Sequence, residues 1–254
     1  MNSISRAIGR RLAAYLSKPR PGYERLSRLS LTETMETLQP ADIVLVDGNS
    51  HISTAIKYLT QSTWSHACLY VGADQADPDL PSLIEADLND GVTQVPLRKY
   101  EQFNLRICRP VGLSDANKAS IIEFAQARVG HVYDLKNIFD LARYLVQNPA
   151  VPVKYRRDMI TFGSGEPTRA ICSTLIAEAY QTVGYPILPE MIRVEDKKGR
   201  AVSMARHFTH FVPGDFDLSP YFKIVKPTIE HGFAMRIQRS SEHISPDLSE
   251  TSTA

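Results

Sequence analysis

The sequence predicts an α+β domain with a largely antiparallel sheet. Short apolar runs separated by turn chemistry follow one another closely between residues 40 and 111, and well-marked amphipathic helices stand beside them. The 254 residues, 43% hydrophobic and without an internal repeat, suffice for one substantial core.

The first run, PADIVLVDG (40–48), is bounded by Pro40 and Gly48 and reads as a buried strand. In SHISTAIKYLTQ (50–61), Ile52, Ala55, Ile56 and Leu59 share one helical face, with Ser50 as the cap. SHACLYVG (65–72) returns to strand character, and ADQADPDLP (73–81) turns the chain into SLIEAD (82–87), giving an antiparallel pair. A turn at Asn89-Asp90-Gly91 leads to VTQVPL, and NLRICRPV (104–111) supplies a further strand. Ser114 opens a helix with Asp115 in its first turn, Arg128 in its last and Gly130 as its stop. Leu135, Ile138, Phe139, Ala142 and Leu145 predict another over about 134–146, and 147–168 is a loop by composition. RAICSTLIAEAYQTVG (169–184) reads as a helix opening near Cys172. Downstream, 191–207 is poorly periodic, VPGDF (212–216) is a turn and YFKIVKP (221–227) a last strand. The expected organisation is a basic, partly helical leader (1–37), one folded domain (38–230) and a polar, disordered tail (231–254).

Charge narrows the partners. The net charge of +1 and the lack of a basic, aromatic-interleaved stripe argue against nucleic acid. Residues 1–30 hold seven basic residues against Glu24 alone, with Ile4, Ile8, Leu12 and Leu16 at helical spacing. That pattern suits a solvated leader docking on its own domain, or peripheral contact of residues 1–20 with an anionic membrane. The leader lacks a secretory apolar core, and three cysteines, Cys68, Cys108 and Cys172, make no disulfide framework, so a cytoplasmic address is expected. No stretch is long and apolar enough to span a membrane.

Cys172 carries the chemical question. Leu175, Ile176, Ala179 and Val183 share its helical side, which favours a packed core cysteine. A place at a helix start favours a nucleophile instead, because unpaired N–H groups and the dipole stabilise a thiolate. The Cys172 backbone N–H could also donate to the oxyanion formed on attack at a carbonyl. A thiolate needs a base. His51 lies in a loop or first helical turn, His131 at a helix exit, His207 and His210 in an irregular region, and His231 and His243 near the tail. His66 alone stands at the mouth of an apolar strand, directly after Trp64 and Ser65, which are candidates to meet substrate there. If 65–72 pairs with 82–87, Glu85 or Asp87 comes back level with His66 to orient its ring.

Taken in order, the stretches GNSHISTAIKYLTQSTWSHACLYVG, IEADLNDGVTQVPL, RVGHVYDLKNIF, ICSTLIAEAYQTVG and VPGDF resemble the permuted papain-like cysteine hydrolases. Within the NlpC-type superfamily, which includes the lecithin:retinol acyltransferase type, they are most similar to the YiiX/YebB-like branch. The resemblance spans about residues 38–227. It implies a circularly permuted papain-like fold, a largely antiparallel sheet or small barrel packed against helices. It also implies a catalytic set of Cys172 as nucleophile, His66 as base and Glu85 as the residue fixing the imidazole. Tyr133 and Asp134 match the family's YD pair, Tyr133 with a substrate-contacting role. The expected activity is hydrolysis of an amide, ester or thioester on a small-molecule or peptide substrate of the cell-envelope type, with no cofactor.

Two other readings keep the fold. One is a lipid acyltransferase or lipid hydrolase at a membrane surface. The other is a non-catalytic binding module, which has no need of Cys, His and Glu together. A zinc site from His66, Cys68 and Cys172 is disfavoured, because no Cys-x-x-Cys pair occurs and HFTH (207–210) lacks the glutamate of metalloprotease motifs. Cys68 is a poor rival nucleophile, since mid-strand burial keeps a thiol protonated.

Overall fold

A computed structural model describes residues 15, 17–25, 30–72, 80–87, 90–131, 171–189, 191–194, 201–204, 208 and 211–227. Its centre is a six-stranded antiparallel sheet built from β1 (Ile43–Asp47), β2 (His66–Tyr70), β3 (Pro81–Asp87), β4 (Gly91–Pro96), β5 (Asn104–Pro110) and β8 (Phe222–Val225). The order is β4-β3-β2-β1-β5-β8, so the sheet is open, with β4 and β8 at its edges. Mixed helix and antiparallel sheet agree with the expected α+β class. The small-barrel alternative is corrected, because the two edge strands do not pair with each other.

The helices start where their caps predict. Ser50 accepts from the Ser53 N–H at 3.1 Å and opens α2 (His51–Thr60); Ser114 accepts from the Asn117 N–H at 3.2 Å and opens α3 (Asp115–Gln126). The α3 helix ends before Arg128, and the chain leaves through Gly130, whose φ of 88° favours glycine. The helix carrying Cys172, α4, spans Ile171–Thr182. Three elements depart from expectation. Part of the irregular region forms a separate hairpin, β6 (Met191–Val194) with β7 (Ala201–Met204). VPGDF is a short helix, α5 (Pro213–Asp217), because Pro213 suits a first helical position and Asp215 accepts from the Val212 N–H. Within the expected leader, Ser30 and Glu33 form a capping box for α1 (Leu31–Thr37), and buried Met35 joins the core. The helix expected at 134–146, the loop 147–168, the leader's amphipathic face and the tail lie outside the described residues.

The sheet separates two apolar layers, as period-two alternation requires. Ile43, Leu45, Ala67, Leu69, Ile84 and Ala86 face α4, where Leu175, Ile176, Ala179 and Tyr180 are buried. Val44, Val46, Cys68, Tyr70 and Leu83 face the other way, against Met35 and against Leu97 and Tyr100 of a 3-10 turn (Leu97–Tyr100). Among the described residues, no helix is long and apolar enough to cross a membrane.

Candidate active site

The site forms where β2 and α4 both begin. His66 is the first residue of β2, and Cys172 lies in the first turn of α4. The side-chain contacts decide between the two carboxylates. Leu69 stands opposite Ile84 and Tyr70 opposite Leu83, which carries Glu85 to the position facing Cys68, on the same face as His66. Glu85 Oε2 lies 2.9 Å from His66 Nε2, while Asp87 lies 4.0 Å from Lys99 Nζ instead.

Glu85 is only 1% exposed, so its charge must be met inside the protein. His66 meets it through Nε2, the Tyr100 hydroxyl donates to Oε2, and the Lys99 ammonium reaches Oε1. Burial alone would raise this carboxyl, but the His66 bond and charge, with the Lys99 and Tyr100 bonds, hold it at about 2. Lys99 and Tyr100 were not legible in the sequence: LRKY has neither helical nor strand periodicity, and only the fold brings it under β3.

The sulfurs differ in the same way. Burial pushes the Cys172 thiol up, but the charge and hydrogen bond of His66, with backbone N–H groups of Ala67 and Ser173, outweigh it and bring the thiol below its ordinary value. His66 in turn is held well above 6.5: burial opposes its charge, and its interactions with the Cys68 and Cys172 sulfurs overcome that opposition. Cys68 stays above its ordinary value because burial dominates the help it receives from His66. Cys108, deep in the core, is pushed further up by burial. Of the three thiols, Cys172 is the one prepared to ionise.

The donor atoms of His66, Cys68 and Glu85 lie within 4.8 Å of one another, close enough to be tested against a cation. They fit one poorly. The Glu85 oxygens already receive Tyr100, His66 and the Lys99 ammonium, so the compensating positive charge is supplied by the chain itself.

The remaining site candidates fall differently. Trp64, although largely buried, lines a cavity of about 570 Å³ with Asp47, Gln61, Arg106 and Asp217. Ser65, the other expected substrate contact beside His66, bonds backbone in the structure. It is buried, and its hydroxyl accepts from the Gly48 N–H at 3.0 Å and reaches the Val46 carbonyl at 3.4 Å. Tyr133 and Asp134 lie outside the described residues, as do His207, His210, His231 and His243.

Residues 37–144 match the family described as permuted papain-like amidase enzyme, YaeF/YiiX, C92. The matched segment contains His66 and Glu85, and Cys172 lies beyond it. A crystal structure described as metalloprotein YiiX from Escherichia coli O157:H7, DUF1105, aligns at a TM-score of 0.47 and 16% identity, over 75% of this chain and 97% of that one. No curated protein matches the sequence.

Proposed function

We propose that this protein is a cysteine hydrolase of amidase type, with Cys172 as nucleophile, His66 as acid and base, and Glu85 as the group that fixes the imidazole. The carrying observation is His66 held between buried Glu85 and a thiol whose ionisation the site favours. The family match over residues 37–144 supports an amidase-like reaction.

The chemistry follows from which nitrogen is taken. Nε2 donates to Glu85, which leaves Nδ1 to exchange a proton with Cys172. The thiolate attacks the carbonyl carbon, forming a C–S bond and an oxyanion toward which the Cys172 N–H is directed as donor. The imidazolium gives its proton to the departing amine as the C–N bond breaks, leaving a thioester on Cys172 and a neutral imidazole. Neutral His66 then takes a proton from water as the water oxygen attacks the thioester, and the C–S bond breaks to release the carboxylic acid and restore the Cys172 thiolate beside the His66 imidazolium. The cavity beside Trp64 is the proposed berth for the substrate's flanking part, a peptide or similar polar amide of the cell-envelope type, with Tyr133 as a further contact.

Alkylation of Cys172 by iodoacetamide across pH, read by mass spectrometry, tests this reading without a known substrate. The thiol should titrate well below the ordinary value of about 8.5, and His66→Ala should raise that midpoint. Cys172→Ala should abolish turnover of any acyl substrate while the protein stays folded. A thiol that titrates normally and ignores His66→Ala would refute the assignment.

A further inference from the structure

Glu85 has more partners than an orienting carboxylate needs. The Lys99 ammonium bonds Oε1 and also lies 4.0 Å from Asp87. It is carried by a 3-10 turn whose Leu97 and Tyr100 are buried, so its place is set by the core although its own side chain is 41% exposed. The titratable and charged groups around Glu85 are His66 and Cys68 from β2, Asp87 from β3, Lys99 and Tyr100 from the turn, and Cys172 from α4 through His66. Among the described residues touching Glu85, Lys99 is the cation that takes no part in proton transfer.

We propose that Lys99 is the fixed counter-ion of Glu85, a positioning residue that keeps the buried carboxylate neutralised through every protonation state of His66. This rests on the hydrolase reading above. In the resting ion pair, the Cys172 thiolate and the His66 imidazolium balance each other, and Lys99 balances Glu85. In the acyl-enzyme, Cys172 is an uncharged thioester and His66 has given its proton to the leaving group, yet Glu85 and Lys99 still cancel. Without Lys99, both states would bury one uncompensated negative charge. His66 would then be the only cation available to Glu85, and its proton would be retained where the reaction needs it delivered.

The sign of the consequence is fixed. Removing a positive charge disfavours the Cys172 thiolate and favours the His66 imidazolium, so both ionisations move to higher pH, by roughly half to one unit for a partly exposed cation. Lys99→Gln removes the charge and keeps an N–H donor for Glu85; Lys99→Met is the second variant, and Lys99→Arg restores the charge. The readouts are the alkylation midpoint of Cys172 and the NMR titration of the His66 ring, with near-UV circular dichroism checking that each variant is folded. Upward shifts of both in Lys99→Gln and Lys99→Met, reversed in Lys99→Arg, support the proposal; a merely structural lysine would leave both midpoints in place. A wild-type Cys172 midpoint that is low and unchanged in folded Lys99→Gln or Lys99→Met would overturn the counter-ion role and leave the hydrolase reading standing. An ordinary wild-type thiol would overturn both.

Discussion

Glu85 shows at single-residue scale how function and stability share one charge. Its carboxyl is lowered from 4.5 to about 2 in the folded protein, against the pull of burial. A depressed folded value means that the stabilisation is complete above the unfolded value and disappears as pH falls through the folded one. Unfolding free energy should therefore decline between about 4.5 and 2, by on the order of 3 kcal/mol from this group. Glu85→Gln should flatten that decline, read from urea midpoints at stepped pH; an undiminished slope would mean the carboxylate is not held as described. His66 has the opposite sign. Its folded value is raised well above 6.5, so its contribution is complete below 6.5 and fades as pH rises through the folded value. Between the two windows the ion pair of Glu85 with His66 is whole.

At the scale of elements, what the sequence disclosed depended on periodicity. Cys172 with Leu175, Ile176 and Ala179 reads as one helical face, and all four are buried together in α4. Glu85 and Asp87 share strand parity, so alternation could not separate them, and neither does the β2/β3 register, which sets Glu85 opposite Cys68; the 2.9 Å contact of Glu85 with His66 does. Lys99 and Tyr100 left no signal because a four-residue 3-10 turn has no period to detect. For Ser65 the sequence is silent on partners, because a hydroxyl beside a catalytic candidate has the same appearance whether it meets substrate or backbone. In the structure its hydroxyl lies at the joint between β1 and β2, where it accepts from the Gly48 N–H. A Cβ added at Gly48 would fall 2.4 Å from Ser53 Oγ and 2.8 Å from Ser65 Oγ, so this joint is closed to any larger residue. Gly48→Ala should then cost about 1–3 kcal/mol of stability through overpacking. Urea unfolding measures it, and an unchanged midpoint would show that the two serines turn aside freely.

Across the whole molecule, the site lies where the two apolar layers meet, and one polar network ties that region to the far end of the described chain. Trp64, just before β2, donates its indole N–H to Asp217 of α5 at 2.9 Å, and Asp217 also receives Arg106 of β5 at 2.6 and 2.7 Å. The Arg106 guanidinium lies 4.8 Å from the centre of the Trp64 ring. Segments distant in sequence thus fix the wall of the cavity beside Trp64. Because Trp64 is the only tryptophan in the chain and is 6% exposed, its fluorescence reports on this contact alone. Asp217→Ala strips the indole N–H of its acceptor in a buried setting and releases Arg106 from the ring, a loss of about 1–3 kcal/mol. The folded variant should show red-shifted tryptophan emission and a lower urea midpoint, whereas Lys118→Ala, which removes an exposed pair with Asp115, should change neither. Unaltered emission in Asp217→Ala would mean that packing, and not this carboxylate, holds the wall.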